Sequence, residues 1–195
     1  MRENPERAGP AAPRVGRVSD GQDGRDGRHV RERLRAEADG SPRYRELLDA
    51  DPDALAASLM SAGLPLWARE LAAYRLGLAG DRRAFEPLVL LLNHRDPARC
   101  AAAAEALAAL GDPRTARAAA ALATNELRTA YALQPIRLLV ALRAPESAPA
   151  LIRTLTRRLA PHDPYWRVAL ACVEGLGALS DPSAREVLTR AQAHP

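Results

Sequence analysis

Leu107-Ala-Ala-Leu110-Gly-Asp112-Pro-Arg-Thr115 is the stretch on which the fold turns. Asp followed by Pro starts a helix for a mechanical reason. The Asp oxygen accepts an orphan backbone N–H, and Pro at the first helical position has no N–H to satisfy. Related starts recur at Asp51-Pro-Asp-Ala54, Asp81-Arg-Arg-Ala84, Ala144-Pro-Glu-Ser147 and Asp181-Pro-Ser-Ala184. Counted with Asp112, the five anchors are spaced by 30, 31, 32 and 37 residues, the range of helical repeats. A small residue stands three positions after each anchor: Ala54, Ala84, Thr115, Ser147 and Ala184.

The residues before the last four anchors repeat more strictly. Five positions upstream stand Leu76, Leu107, Leu139 and Leu176. Two upstream stand Ala79, Leu110, Leu142 and Leu179, and nine upstream Ala72, Ala103, Pro135 and Cys172. Such offsets trace one face of a helix, and a buried seam is the economical reason for their recurrence. Turn signals divide each interval in two: Gly63-Leu-Pro65, Asp96-Pro97, Thr124-Asn125 and Asp163-Pro164. The expectation is four helical hairpins and a lone helix from Pro182.

Composition agrees. Ala and Leu dominate and β-branched residues are few, which favours an all-α chain. All 28 basic residues are Arg, yet the net charge is only +4, too weak and too evenly spread to mark a nucleic-acid partner. No run of about 18 apolar residues free of charge is present, so no membrane span is expected. The first residues, Met1-Arg-Glu-Asn-Pro-Glu-Arg7, hold no apolar secretory core, and Cys100 and Cys172 make no disulfide framework. A cytoplasmic protein is expected. Residues 1–41, rich in Arg, Gly, Asp and Pro, read as a disordered tail before a helical domain over 42–195. Within the tail, 28–38 reads as a short fraying helix carrying Val30 and Leu34.

Leu110-Gly-Asp-Pro-Arg114, Ala84-Phe-Glu-Pro-Leu-Val89 and Ser147-Ala-Pro-Ala-Leu-Ile152 resemble HEAT repeats, of the subtype also found in phycobilisome lyases. The resemblance covers about residues 51–195. It implies a right-handed α-solenoid of about four hairpins plus a terminal helix, in a family used mostly as scaffolds and adaptors. The third unit departs from the pattern. Ala144 replaces the anchor Asp, and Pro135 is expected to kink the second helix.

No residues carry a recognisable catalytic set. His29, His94, His162 and His194 are scattered, and none precedes Glu, unlike the paired His-Glu motifs of diiron hydroxylases similar in fold. They lack zinc spacing too, so no metal or cofactor is expected. His94 and His162 read as solvated turn residues, and Cys100 and Cys172 as small buried hydrophobes. Phosphate-cradling, dinucleotide and nucleophile-elbow motifs do not occur. Bilin-lyase activity is implied by the subtype alone. Asp163-Pro-Tyr-Trp166 with Arg167 is similar to the Trp and Asp of HEAT-like DNA-alkylpurine glycosylases, an alternative that would need a basic groove. The simpler reading has Asp163 capping a helix and Trp166 packing across the turn 160–164. Arg153, Arg157 and Arg158, late in a first helix, read as structural charge.

The resemblance places the second helix of each hairpin on the concave side. Its outward positions include Trp67, Leu71 and Tyr74, then Glu105, Gln134 and Arg137, then Arg167 and Glu174. Aromatics beside alternating charges suit a protein or peptide partner. Alternatively, Trp67 and Tyr74 pack beneath Tyr44, Leu47 and Leu48 as an end cap. The expected function is a non-catalytic protein-interaction scaffold, with an accessory subunit of a partner enzyme as a further alternative. The residues leave the oligomeric state open.

Overall fold

The four Asp anchors act as caps in the computed structural model, which describes residues 20–193 and the side chains of residues 27–193. Asp51 accepts the Ala54 N–H at 2.8 Å, Asp81 that of Arg83 at 3.0 Å, and Asp112 that of Arg114 at 2.9 Å. Asp181 accepts the Ser183 N–H at 2.9 Å, and Asp96 that of Ala98 at 2.9 Å. After Asp81 and Asp181 a 3₁₀ turn intervenes (Arg82–Ala84 and Pro182–Ala184) before the α-helix begins.

The described residues are helical and contain no strand. In order they form α1 (Asp20–Glu37), α2 (Pro42–Asp49), α3 (Pro52–Met60), α4 (Leu66–Leu78), α5 (Phe85–Leu92), α6 (Pro97–Leu110), α7 (Thr115–Ala123), α8 (Leu133–Leu142), α9 (Ser147–Arg158), α10 (Trp166–Leu179) and α11 (Arg185–Gln192). The pairs α3–α4, α5–α6, α7–α8 and α9–α10 pack as hairpins. Second helices pack in series, α4 on α6, α6 on α8 and α8 on α10, while α5, α7, α9 and α11 form the other row. The recurring leucines Leu76, Leu107, Leu139 and Leu176 are buried between the rows, with Ala72, Ala103, Pro135 and Cys172 beside them.

Each hairpin joins the next through one residue of left-handed backbone immediately before the anchor: Gly80, Gly111, Arg143 and Ser180. That conformation ends a helix and frees the chain to reverse, and glycine adopts it without a Cβ penalty. Close approach between second helices also depends on small residues. A Cβ on Gly77 would stand 2.9 Å from the Ala106 Cβ, and one on Gly175 2.6 Å from Val140 Cγ2.

Three expectations change. Pro135 does not kink α8, because α8 begins only at Leu133 and the proline sits in its first turn, where no helical N–H partner is lost. The preceding chain is a 3₁₀ segment, Glu126–Tyr131, broken at Arg128. Trp166 is not packed closely across the turn 160–164 but is 60% exposed, sharing with residues 160–163 an open groove of about 550 Å³.

The third change is at the N-terminus. Helix α1 lies within the segment read as a tail, yet it packs on α4 and α6 and buries Val30 and Leu34, with Ala38 buried just past its end. The Tyr44 hydroxyl of α2 donates to the Arg31 carbonyl at 2.9 Å, tying α1 to α2. The packed region therefore begins before residue 42. Spacing explains it: Val30, Leu34 and Ala38 recur every four residues, so even a charge-rich helix presents one apolar line. Residues 1–19 lie outside the described residues, and so does their reading as a tail. No described helix is long and apolar enough to cross a membrane.

Candidate functional site

Helix α1 is laid over the second-helix row, and an ion network holds it there. Glu70 of α4 is buried, only 1% exposed, and receives Arg33 of α1 and Arg99 of α6 on its carboxylate. Arg33 also reaches Glu37 at 2.8 Å, and Arg99 closes the ring by bonding Glu37. Burying a carboxylate is costly unless donors replace its lost water, and here guanidinium donors do so from two sides. Burial pulls the Glu37 carboxyl upward, but the hydrogen bonds from Arg99 and Arg33 outweigh it and hold the group below its ordinary value.

This network covers the first part of the expected binding strip. Trp67, Leu71 and Tyr74 are buried, and the Trp67 ring packs on Tyr44 with centroids 6.3 Å apart. The Tyr74 hydroxyl donates to Glu105 Oε1 at 2.8 Å, and a Cβ on Gly27 would stand 3.4 Å from that hydroxyl. These aromatics serve the fold's own end, as the cap alternative has it, and are not open to a partner.

Beyond α1 the same face opens into a groove of about 540 Å³ between α1, α6 and α8. Its α1 wall includes His29 and Arg33, its α6 floor Ala98 and Ala101, and its α8 wall Gln134 and Arg137, with Glu105 at the edge. Arg137 is exposed and Gln134 partly so. The structure therefore brings Glu105, Gln134 and Arg137 together. Arg167 and Glu174 are exposed further along, on α10, and do not line this groove. There the Arg167 guanidinium lies 5.3 Å from the centroid of the Trp166 ring.

The remaining candidates are engaged in the fold. Asp163 accepts the Tyr165 N–H at 2.8 Å and pairs with Arg158 at 3.1 Å. Arg157 pairs with Glu126 at 3.1 Å, so two of the three clustered arginines hold loops. His94 Nδ1 accepts the Asp96 N–H at 3.0 Å, and the Cys100 thiol donates to the His94 carbonyl at 2.8 Å. Both cysteines are buried; burial pushes the Cys172 thiol up to about 12, which suits an inert core residue. His162 is an exposed turn residue with left-handed backbone, and His194 lies outside the described residues. Among the described residues no group of three or more His, Cys, Asp or Glu is placed to hold a metal ion.

Sequence reasoning missed the network of Arg33, Glu37, Glu70 and Arg99. One signal was present: Glu70 lies eleven residues before its anchor, where later repeats carry Ala101, Leu133 and Leu170. An acid at that otherwise apolar offset calls for a cationic partner.

No protein-family model matches the chain, and no curated protein matches it.

Proposed function

We propose that this chain is a HEAT-type, right-handed α-solenoid that serves as a non-catalytic scaffold. Its partner is a protein segment held in the groove between α1, α6 and α8. The observation that carries this reading is the partial cover of the second-helix row: α1 occupies α4 and part of α6, while the face beside it stays open. Alanines at 98 and 101 let a partner backbone approach closely, and Gln134 and Arg137 offer hydrogen bonds at the rim. Charges of both signs favour a peptide of matching pattern over a polyanion. Helix α1 is itself the precedent, an Arg- and acid-rich helix seated on the same row through a narrow apolar line. A role as accessory subunit to an enzyme uses the same contact, and the identity of the bound protein decides it.

A photo-crosslinking residue placed at Arg137, and separately at exposed Arg153 on α9, tests the reading in cells of the native host. Crosslinks should form at 137 and not at 153, and Ala101→Arg, which fills the groove floor from an exposed position, should abolish them. Equal crosslinking at both positions, or indifference to Ala101→Arg, contradicts the proposal.

A further inference from the structure

Each second helix turns one face toward its successor, and two internal contacts show the register. Gly77 and Val140 lie four residues before their anchors; Ala106 and Gly175, which they meet, lie six before theirs. On α10 the position four before the anchor is Gly177, and nothing lies within 4 Å of a Cβ built there. The same face continues back through Val173, Leu170 and Trp166. The matching residues are Ile136 and Leu133 of α8 and Thr129 of the 3₁₀ segment before it; Ile136 and Thr129 are buried and Leu133 is packed against the core. On α10, by contrast, Leu170 is 47% exposed and Trp166 60%. Val173 is packed against the core as Leu133 is, so the part of this face left bare among the described residues is Leu170 and Trp166, along a groove they share with the 160–163 turn and Ala191 of α11.

Charge indicates what covers it. Arg167 and Glu174 are both exposed and lie seven residues apart, two turns along the same side of α10, with Leu170 between them. Such a stripe complements itself when reversed: two α10 helices crossing antiparallel beside Leu170 bring Arg167 of each copy to Glu174 of the other. A head-to-tail stack is closed off, because α1 and α2 already cover α4 at the opposite end of the row. We infer that a second copy of this chain covers the face, in a two-fold dimer centred on Leu170. Such an isologous contact closes at two copies. Trp166 of each copy then approaches the Gly177 end of the other helix, where the absent side chain leaves room. The inference rests on repeat register and charge, independently of the groove beside α1.

Sedimentation of the full 195-residue chain over a dilution series tests it. The expected result is a dimer that dissociates on dilution. Leu170→Glu should give a monomer with unchanged helical circular dichroism, and Arg167→Glu should weaken association by about tenfold or more, by setting like charges together. Combining Arg167→Glu with Glu174→Arg should restore the dimer, while Arg137→Glu, in the other groove, should leave it unchanged. A wild-type monomer at every concentration overturns the inference. So does a dimer indifferent to Leu170→Glu, or a double reversal that fails to rescue.

Discussion

Ser180 and Arg143 hold left-handed backbone, at φ 55° and 49°, in the junctions where Gly80 and Gly111 stand in the other two. A Cβ is penalised in that conformation, so Ser180→Gly should stabilise the fold by about 0.5–1 kcal/mol, read as a higher urea midpoint. Ser180 is the smaller change, because its hydroxyl gives up one bond, to the Gly177 carbonyl at 3.2 Å, whereas Arg143 would lose its whole guanidinium, which donates to the Ala178 carbonyl at 3.0 Å. Gly175 is the opposite case. An added methyl there meets Val140 Cγ2 at 2.6 Å and Leu151 Cδ2 at 2.7 Å. Gly175→Ala should therefore cost about 1–3 kcal/mol by overpacking despite its better helix propensity. Gly177→Ala, two residues on and in open space, should show no such loss in the same dilute-protein urea melt.

The hairpin helices were largely legible because their signals are local. An Asp cap at four of the five anchors and a seam leucine five residues before each of the last four can be read within one window, and those leucines are buried. The short helix over 28–38 was legible, but its packing on α4 and α6 was not, because its charges look solvated until their partners are known. Arg33 meets Glu70, 37 residues away, and Glu37 meets Arg99, 62 residues away. Removing residues 1–40 should consequently lower the melting temperature, since it uncovers Leu71 and Tyr74 and strips Arg33 from buried Glu70. Acid should act in the same direction. Glu37 titrates below its unfolded value in the fold, so its stabilisation is present above the ordinary carboxylate range and lost as pH falls through the depressed folded value. Glu37→Gln should lower the melting temperature at neutral pH, and its difference from wild type should close in acid.

Over the whole chain, the repeat register located the second-helix face, while its occupancy followed from contacts between distant segments. The expected row from Trp67 to Glu174 divides into three parts: an end covered by α1 and α2, an open groove at Glu105, Gln134 and Arg137, and the exposed stripe of α10. Trp67 and Tyr74 had the composition of an interface anchor and are one, but toward their own chain. Only Arg137, Arg167 and Glu174 stand fully outward as the spacing suggested, and the first of these marks the proposed partner groove. Hydrogen exchange of the chain, alone and with the partner crosslinked at position 137, tests that assignment most directly. Exchange should slow in α6 and α8, in the peptides holding Ala98 to Glu105 and Gln134 to Arg137, with α7 and α9 unchanged. Slowing confined to α7 and α9, with α6 and α8 as in the free chain, would contradict it.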